Sequence, residues 1–173
     1  MHFDINKSLE ILERTPLVLD TMLEGLSEEW IYSNEGHGTW SPYDILGHLI
    51  HGEKTDWVPR MEIILSQKGD CAFESFDRFA QFSEDDKTMK QLLDEFESIR
   101  KLNIERLRSK NLTQHHFELV GLHPAFGTVT LSQLLSTWAV HDLNHISQIS
   151  RVMAKQYKEE VGPWVEYLRI LKS

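Results

Sequence analysis

Leucine, isoleucine and aromatic residues recur along most of this chain at intervals of three and four, the period of one helix face, while alternating Val/Ile/Thr runs bounded by hairpin turns are missing. An all-α fold is expected. In the first segment Ile5, Leu9, Leu12, Pro16, Leu19, Leu23 and Leu26 are spaced alternately four and three apart, the seam of a helix lying almost parallel to its neighbours. Pro16 has no amide hydrogen and should kink or break that helix. The second helix opens at Ser41-Pro42-Tyr43-Asp44: Ser41 can cap, Pro42 fits the first helical position, and Asp44 puts negative charge near the N-terminal dipole. It runs through Leu46, Leu49, Ile50, Trp57, Met61 and Ile64 to about Lys68, with a bend at Pro59.

Residues 69 to 84 lack a sustained period and read as a crossover loop that packs its phenylalanines onto the helices. The third helix covers roughly Asp85 to Lys110, with Met89, Leu92, Leu93, Phe96 and Ile99 on its apolar stripe and a heavily charged exterior that reads as a solvated face. Asn111 to Val129 is either a long connection or a short irregular element covering one end of the bundle. The fourth helix begins at Thr130-Leu131-Ser132-Gln133, a capping-box pattern, and reaches about Tyr157; a short terminal helix from Pro163 to Leu171 follows Gly162. The architecture expected is an up-and-down four-helix bundle with a crossover loop and a short C-terminal helix, forming a single domain over 1–173. No internal repeat or low-complexity tract interrupts it.

Composition narrows the classes of function. The 173 residues suffice for a sizeable core without staples. A formal net charge of -9 argues against nucleic acid as a partner, because phosphate-backbone binding needs a basic patch that releases counterions. The single cysteine, Cys71, excludes an internal disulfide and a cysteine-based zinc cluster, and suits a reducing compartment. It reads as a loop cysteine, since no basic cluster surrounds it in sequence. The start, Met1-His2-Phe3-Asp4, has neither a basic segment nor an apolar core region, and no apolar run is long enough to cross a bilayer, so a soluble, cytoplasmic chain without a membrane partner is expected.

The chemistry lies in the histidines. His141 and His145 are four apart on the fourth helix, about 40° round the axis and about 6 Å along it, so both imidazoles can address one ion. Leu131, Leu134, Trp138, His145, Ile149 and Val152 form the core-facing stripe, with His141 on its shoulder. An inward imidazole needs a partner for each ring nitrogen, and a metal on one with an amide, carboxylate or water on the other provides both; Asp142, Asn144 and Gln148 are near enough to serve. A third protein ligand is usual in catalytic sites, and the second helix offers His48 and His51. These lie about 60° apart, and periodicity does not choose between them. Gly52, which permits close approach on one side, tilts towards His48. His37, His115, His116 and His123 fall in connections and read as solvated or turn residues. Trp40, Trp57, Trp138 and Trp164 read as packing residues.

The segment Trp40-Ser41-Pro42-Tyr43-Asp44-Ile45-Leu46-Gly47-His48-Leu49, the Phe126-Gly127 turn, and His141-Asp142-Leu143-Asn144-His145 followed by Gln148 resemble the DinB-like (damage-inducible) helical bundle family. The likeness runs over nearly the whole chain. It implies a metal triad of His48, His141 and His145. Three imidazoles suit a divalent transition metal, zinc or nickel before others, and suit magnesium or calcium poorly.

Such an ion lowers the pKa of a coordinated water or holds a thiol as thiolate. Because the family includes bacillithiol- and mycothiol-dependent transferases, the resemblance implies a metal-dependent thiol S-transferase acting on small electrophilic molecules, with a low-molecular-weight thiol as co-substrate. Two other readings stand beside it: a metal-dependent hydrolase assisted by Asp142 or Asp56, and a non-catalytic stress-response bundle with a structural metal. Since imidazole must be neutral to bind, metal release is expected as pH falls below ~6. Ala139, Val140, Leu143 and Ile146 lie away from the ligand face and make a homodimer contact conceivable.

Overall fold

The computed structural model describes residues 2–83 and 87–172, and its body is a four-helix bundle. The first helical segment is split as Pro16 demands, into α1 (Ile5–Leu12) and α2 (Thr15–Leu23), with Pro16 in the first turn of the second piece. A short α3 (Glu28–Tyr32), not anticipated from the pattern, lies in the connection that follows. The second segment is α4 (Pro42–Thr55) and α5 (Trp57–Ser66), parted at Asp56. Pro59 cannot donate to the carbonyl of Thr55, so the helix yields one turn before the proline. The third is α6 (Met89–Ser109), capped by Thr88; its expected start at Asp85 lies outside the described residues. The fourth is α8 (Leu131–Lys155), capped by Thr130.

Local chemistry sets these starts. Ser41 and Asp44 exchange hydrogen bonds in a full capping box, as do Thr88 with Gln91 and Thr130 with Gln133, so amides left without intrahelical partners are satisfied. Around the bundle the order is α1/α2, α6, α4/α5, α8: α1 packs on α8, α2 on α6, and α4 and α5 on both α6 and α8. The first and second segments therefore face each other across the core.

Beyond the helices the structure departs from expectation in two places. The stretch before α8 holds α7 (Gln114–Phe117) and a hairpin of β1 (Val120–His123) and β2 (Gly127–Thr130), antiparallel with Val120 opposite Thr130. The crossover segment joins its edge, Phe73 donating to the Leu122 carbonyl and Leu122 to that of Cys71. Gly121 is required there, since a Cβ would come within 2.6 Å of the Phe73 ring. The chain ends in two 3-10 turns, Gly162–Glu166 and Arg169–Leu171, in place of one terminal helix; Gly162 at φ 53° and Pro163 directly after it prevent continuous winding.

The apolar core is divided. One cluster includes Leu9, Leu12, Trp57, Met61, Leu107 and Trp138; the other includes Leu19, Leu23, Ile45, Leu49, Phe96 and Ile149. A buried polar layer joins all four segments: Glu53, Arg100 with Asn103, Asp142, and from the first segment the Leu12 carbonyl. Arg100 is the hub. Its Nη1 donates to Asp142 Oδ2 (2.6 Å) and to the Leu12 carbonyl (2.8 Å), and its Nη2 to Glu53 Oε1 (2.9 Å) and Asp142 Oδ1 (3.0 Å). Leu12 can serve because Pro16, four residues on, has no amide to occupy its carbonyl. Trp138 Nε1 and Asn103 Nδ2 complete the shell of Glu53 at 2.7 and 2.9 Å.

Val140 and Leu143 on α8 are exposed, whereas Ala139 is buried. Among the described residues no helix is long and apolar enough to cross a membrane.

Candidate metal centre

Beside the polar layer, α4 supplies His48 and α8 supplies His141 and His145. The three imidazoles converge: His141 Nε2 lies 3.1 Å from His145 Nε2 and 3.3 Å from His48 Nε2, and one nitrogen from each ring falls within 4.8 Å of the others. His51 points elsewhere, packing on Phe76 and contacting Thr55, so the choice that helical spacing left open is made by the fold.

The second nitrogen of His145 fixes its tautomer. Nδ1 lies 2.8 Å from Gln148 Oε1, an acceptor, so the proton sits on Nδ1 and the Nε2 lone pair faces the cluster. A proton on His141 Nε2 could serve one neighbour and would leave the other facing it bare. A single cation satisfies all three. Two nitrogens each ~2.05 Å from a tetrahedral ion stand ~3.3 Å apart, close to the separations of His141 Nε2 from its two neighbours. Among the described residues no other group of His, Cys, Asp or Glu meets this condition.

Burial tunes the cluster further. Desolvation, and then the neighbouring imidazoles, push His48 and His141 down to about 3 from an ordinary value near 6.5; His145 is also lowered by burial, against the opposing pull of Gln148 and Asp142. All three are held neutral, the form that binds a metal. Were a metal bound there, its release, expected below pH ~6 for solvated imidazoles, should move to lower pH. Between about 6.5 and about 3 the unfolded chain takes up protons that the folded chain refuses, so stability falls as pH falls through that window. Metal loss should coincide with loss of helical circular dichroism. A chelating dye that reports release near pH 6 from a fully helical protein would overturn this account.

The centre opens onto a cavity of about 920 Å³. Trp40 and Phe76 pack against His48 with ring centroids 4.8 and 5.4 Å away, and Trp57 meets His141 edge-on at 5.1 Å. Trp57 in turn stacks on Trp138, tying the centre to the polar layer. Asp56 also lines the cavity, where burial raises its carboxyl to about 6 although Arg60 Nε lies 2.5 Å away and opposes the rise.

Asp142, one of the two carboxylates considered from sequence, is not available: both its oxygens are bound to Arg100 on the side of the helix away from the cavity residues. Asn144 lines the cavity. His123 reaches the cavity through the hairpin and stacks on Phe126, while His116 Nδ1 accepts the Thr113 amide in a helix cap. Cys71 is buried, its thiol directed at the Lys68 carbonyl. Sequence reasoning missed Arg60, Arg78 and Arg151 as cavity residues; they lie on two helices and a turn far apart in the chain, and nothing local marks them.

Comparison with known proteins places the fold. Residues 11–149 match the model of the DinB superfamily. YfiT from Bacillus subtilis, described as a probable metal-dependent hydrolase with an unusual four-helix bundle topology, superposes with a TM-score of 0.69 at 21% identity, over 91% of this chain and 87% of that one. TT2238, described as a four-helix bundle protein, superposes with a TM-score of 0.58 at 16% identity, over 85% and 98% of the two chains. No curated protein matches significantly.

Proposed function

We propose that this chain, which belongs to the DinB superfamily, is a metal-dependent hydrolase of small molecules, with His48, His141 and His145 holding a zinc or nickel ion. The observation that carries the reading is the convergence of three neutral Nε2 atoms on the wall of a cavity that also contains a carboxyl raised to about 6. YfiT, which shares the fold, is described as a probable metal-dependent hydrolase.

A bound ion would supply Lewis acidity, lowering the pKa of a nucleophile and polarising the bond under attack. The chain supplies the rest. Gln148 holds His145 in its tautomer, Trp40, Phe76 and Trp57 restrict water around the rings, and Asp56 accepts the proton of the attacking water and returns it to the leaving group. Asp56 is competent as a base only when ionised, so the rate should fall as pH drops below about 6.

A structural ion is less well supported, because such sites are closed on every side and this one faces a cavity. Thiol transfer would use the same centre with a thiol in place of water. It differs in requiring the thiol for turnover, so an ester and amide panel run with and without bacillithiol separates the two.

Asp56→Asn is expected to lower hydrolysis by on the order of 100-fold and to remove the limb near pH 6, with metal content unchanged. Full activity in that variant would remove Asp56 from the mechanism.

A further inference from the structure

The charge of the cavity wall runs against that of the chain. The protein carries a formal net charge of -9, yet the cavity is lined by Arg60, Arg78 and Arg151 against two carboxylates, Asp56 and Glu35. Both carboxylates are engaged. Glu35 receives Arg151 in a bidentate pair at 2.8 and 2.7 Å and Lys155 at 2.9 Å, and Asp56 is paired with Arg60.

Arg78 is different. Among the described residues it has no carboxylate partner, and its guanidinium lies over the rings of Trp40 and Phe79, 5.9 and 5.4 Å from their centroids. These cation–π contacts hold the guanidinium beside the two rings and leave its N–H groups free to grip a planar or tetrahedral oxyanion. Trp40 is also the ring that packs on His48. One aromatic side chain therefore connects the unpaired cation to the proposed metal centre.

We propose that the cavity binds a small molecule with an apolar body and a terminal oxyanion, a carboxylate or phosphate, held by Arg78 while the body lies against Trp57, Phe76, Phe126 and Leu134. This deepens the hydrolase reading by naming its substrate class. The cavity suits such a ligand in size, at about 920 Å³ against the ~300–1,000 Å³ common for small-molecule sites. Arg78 is exposed, so an anion entering the cavity reaches it without displacing a protein carboxylate.

Equilibrium dialysis of metal-free protein against 4-phenylbutyrate, phenyl phosphate and the neutral 4-phenylbutyramide tests this. Removing the metal prevents an anion from binding the ion in place of Arg78. At least one of the anions should bind about tenfold or more tightly than the amide, Arg78→Gln should abolish the difference, and Arg78→Lys should restore part of it. Equal binding of all three probes, binding of none, or discrimination that survives in Arg78→Gln would overturn the proposal. A separate zinc titration of the wild type keeps the two readings apart: failure to bind zinc defeats the hydrolase reading alone, and absence of an anion preference in the wild type defeats the present inference alone.

Discussion

Replacing His145 with alanine is expected to strip the purified protein of stoichiometric metal, taking elemental analysis from about one zinc or nickel per chain to background. His145 is the ring whose orientation is fixed from outside, by Gln148 at 2.8 Å, and His48 and His141 alone would share an ion without a third protein donor. Two imidazoles seldom hold these metals against dilution and washing. Gln148→Ala should act more mildly, weakening the metal by about 10- to 100-fold, because the ring stays while its tautomer and angle are released. The fold should survive both changes, since the backbone of α8 is set by its cap and by Leu131, Trp138, Ile149 and Val152. Helical circular dichroism is therefore the control. A His145→Ala protein that retains one ion per chain, or a wild type that takes up neither metal, would leave the cluster as three packed imidazoles and remove the basis of the proposed chemistry.

Parts of this arrangement were legible before any coordinates, and the reason is locality. Capping boxes, the break at Pro16 and the i, i+4 pair His141 and His145 each involve residues within one helical turn, where covalent geometry nearly dictates the contact. The choice of His48 over His51 was not legible from periodicity, because it depends on how α4 is rotated against α8. The resemblance to the DinB-like family made that choice, and in the structure it is His48 that stands with His141 and His145. The β1–β2 hairpin escaped because four-residue strands are too short to show a period, and its third partner comes from residues 71 to 73, far away in sequence.

The polar layer escaped for another reason. Arg100 and Asn103 continue the stripe through Leu92, Phe96 and Leu107 at intervals of four and three, as Glu53 continues Leu46 and Leu49, and Asp142 lies between Trp138 and His145. Charged residues at core positions on three helices were the available signal. Read one helix at a time, each passes for the edge of a solvated face. Only their coincidence at one level of the bundle shows that they are partners.

That layer makes Arg100 the position where a single substitution should cost the most stability. Arg100→Met keeps the bulk of the side chain but leaves Glu53 and Asp142 fully buried without their shared cation, and leaves the Leu12 carbonyl without the donor that stands in for the missing amide of Pro16. Removing one member of a buried ion network typically costs about 3–5 kcal/mol, most of it the penalty of stranding the remaining charge. Urea unfolding at pH 7 should show a loss in that range with little change in slope. If stranded charge is the cause, Arg100→Met combined with Glu53→Gln and Asp142→Asn should recover most of the loss, since a buried network replaced as a whole by uncharged groups is often close to neutral. A loss below about 1 kcal/mol for Arg100→Met alone would mean that water reaches the layer, and that it stabilises the fold no more than a surface salt bridge does.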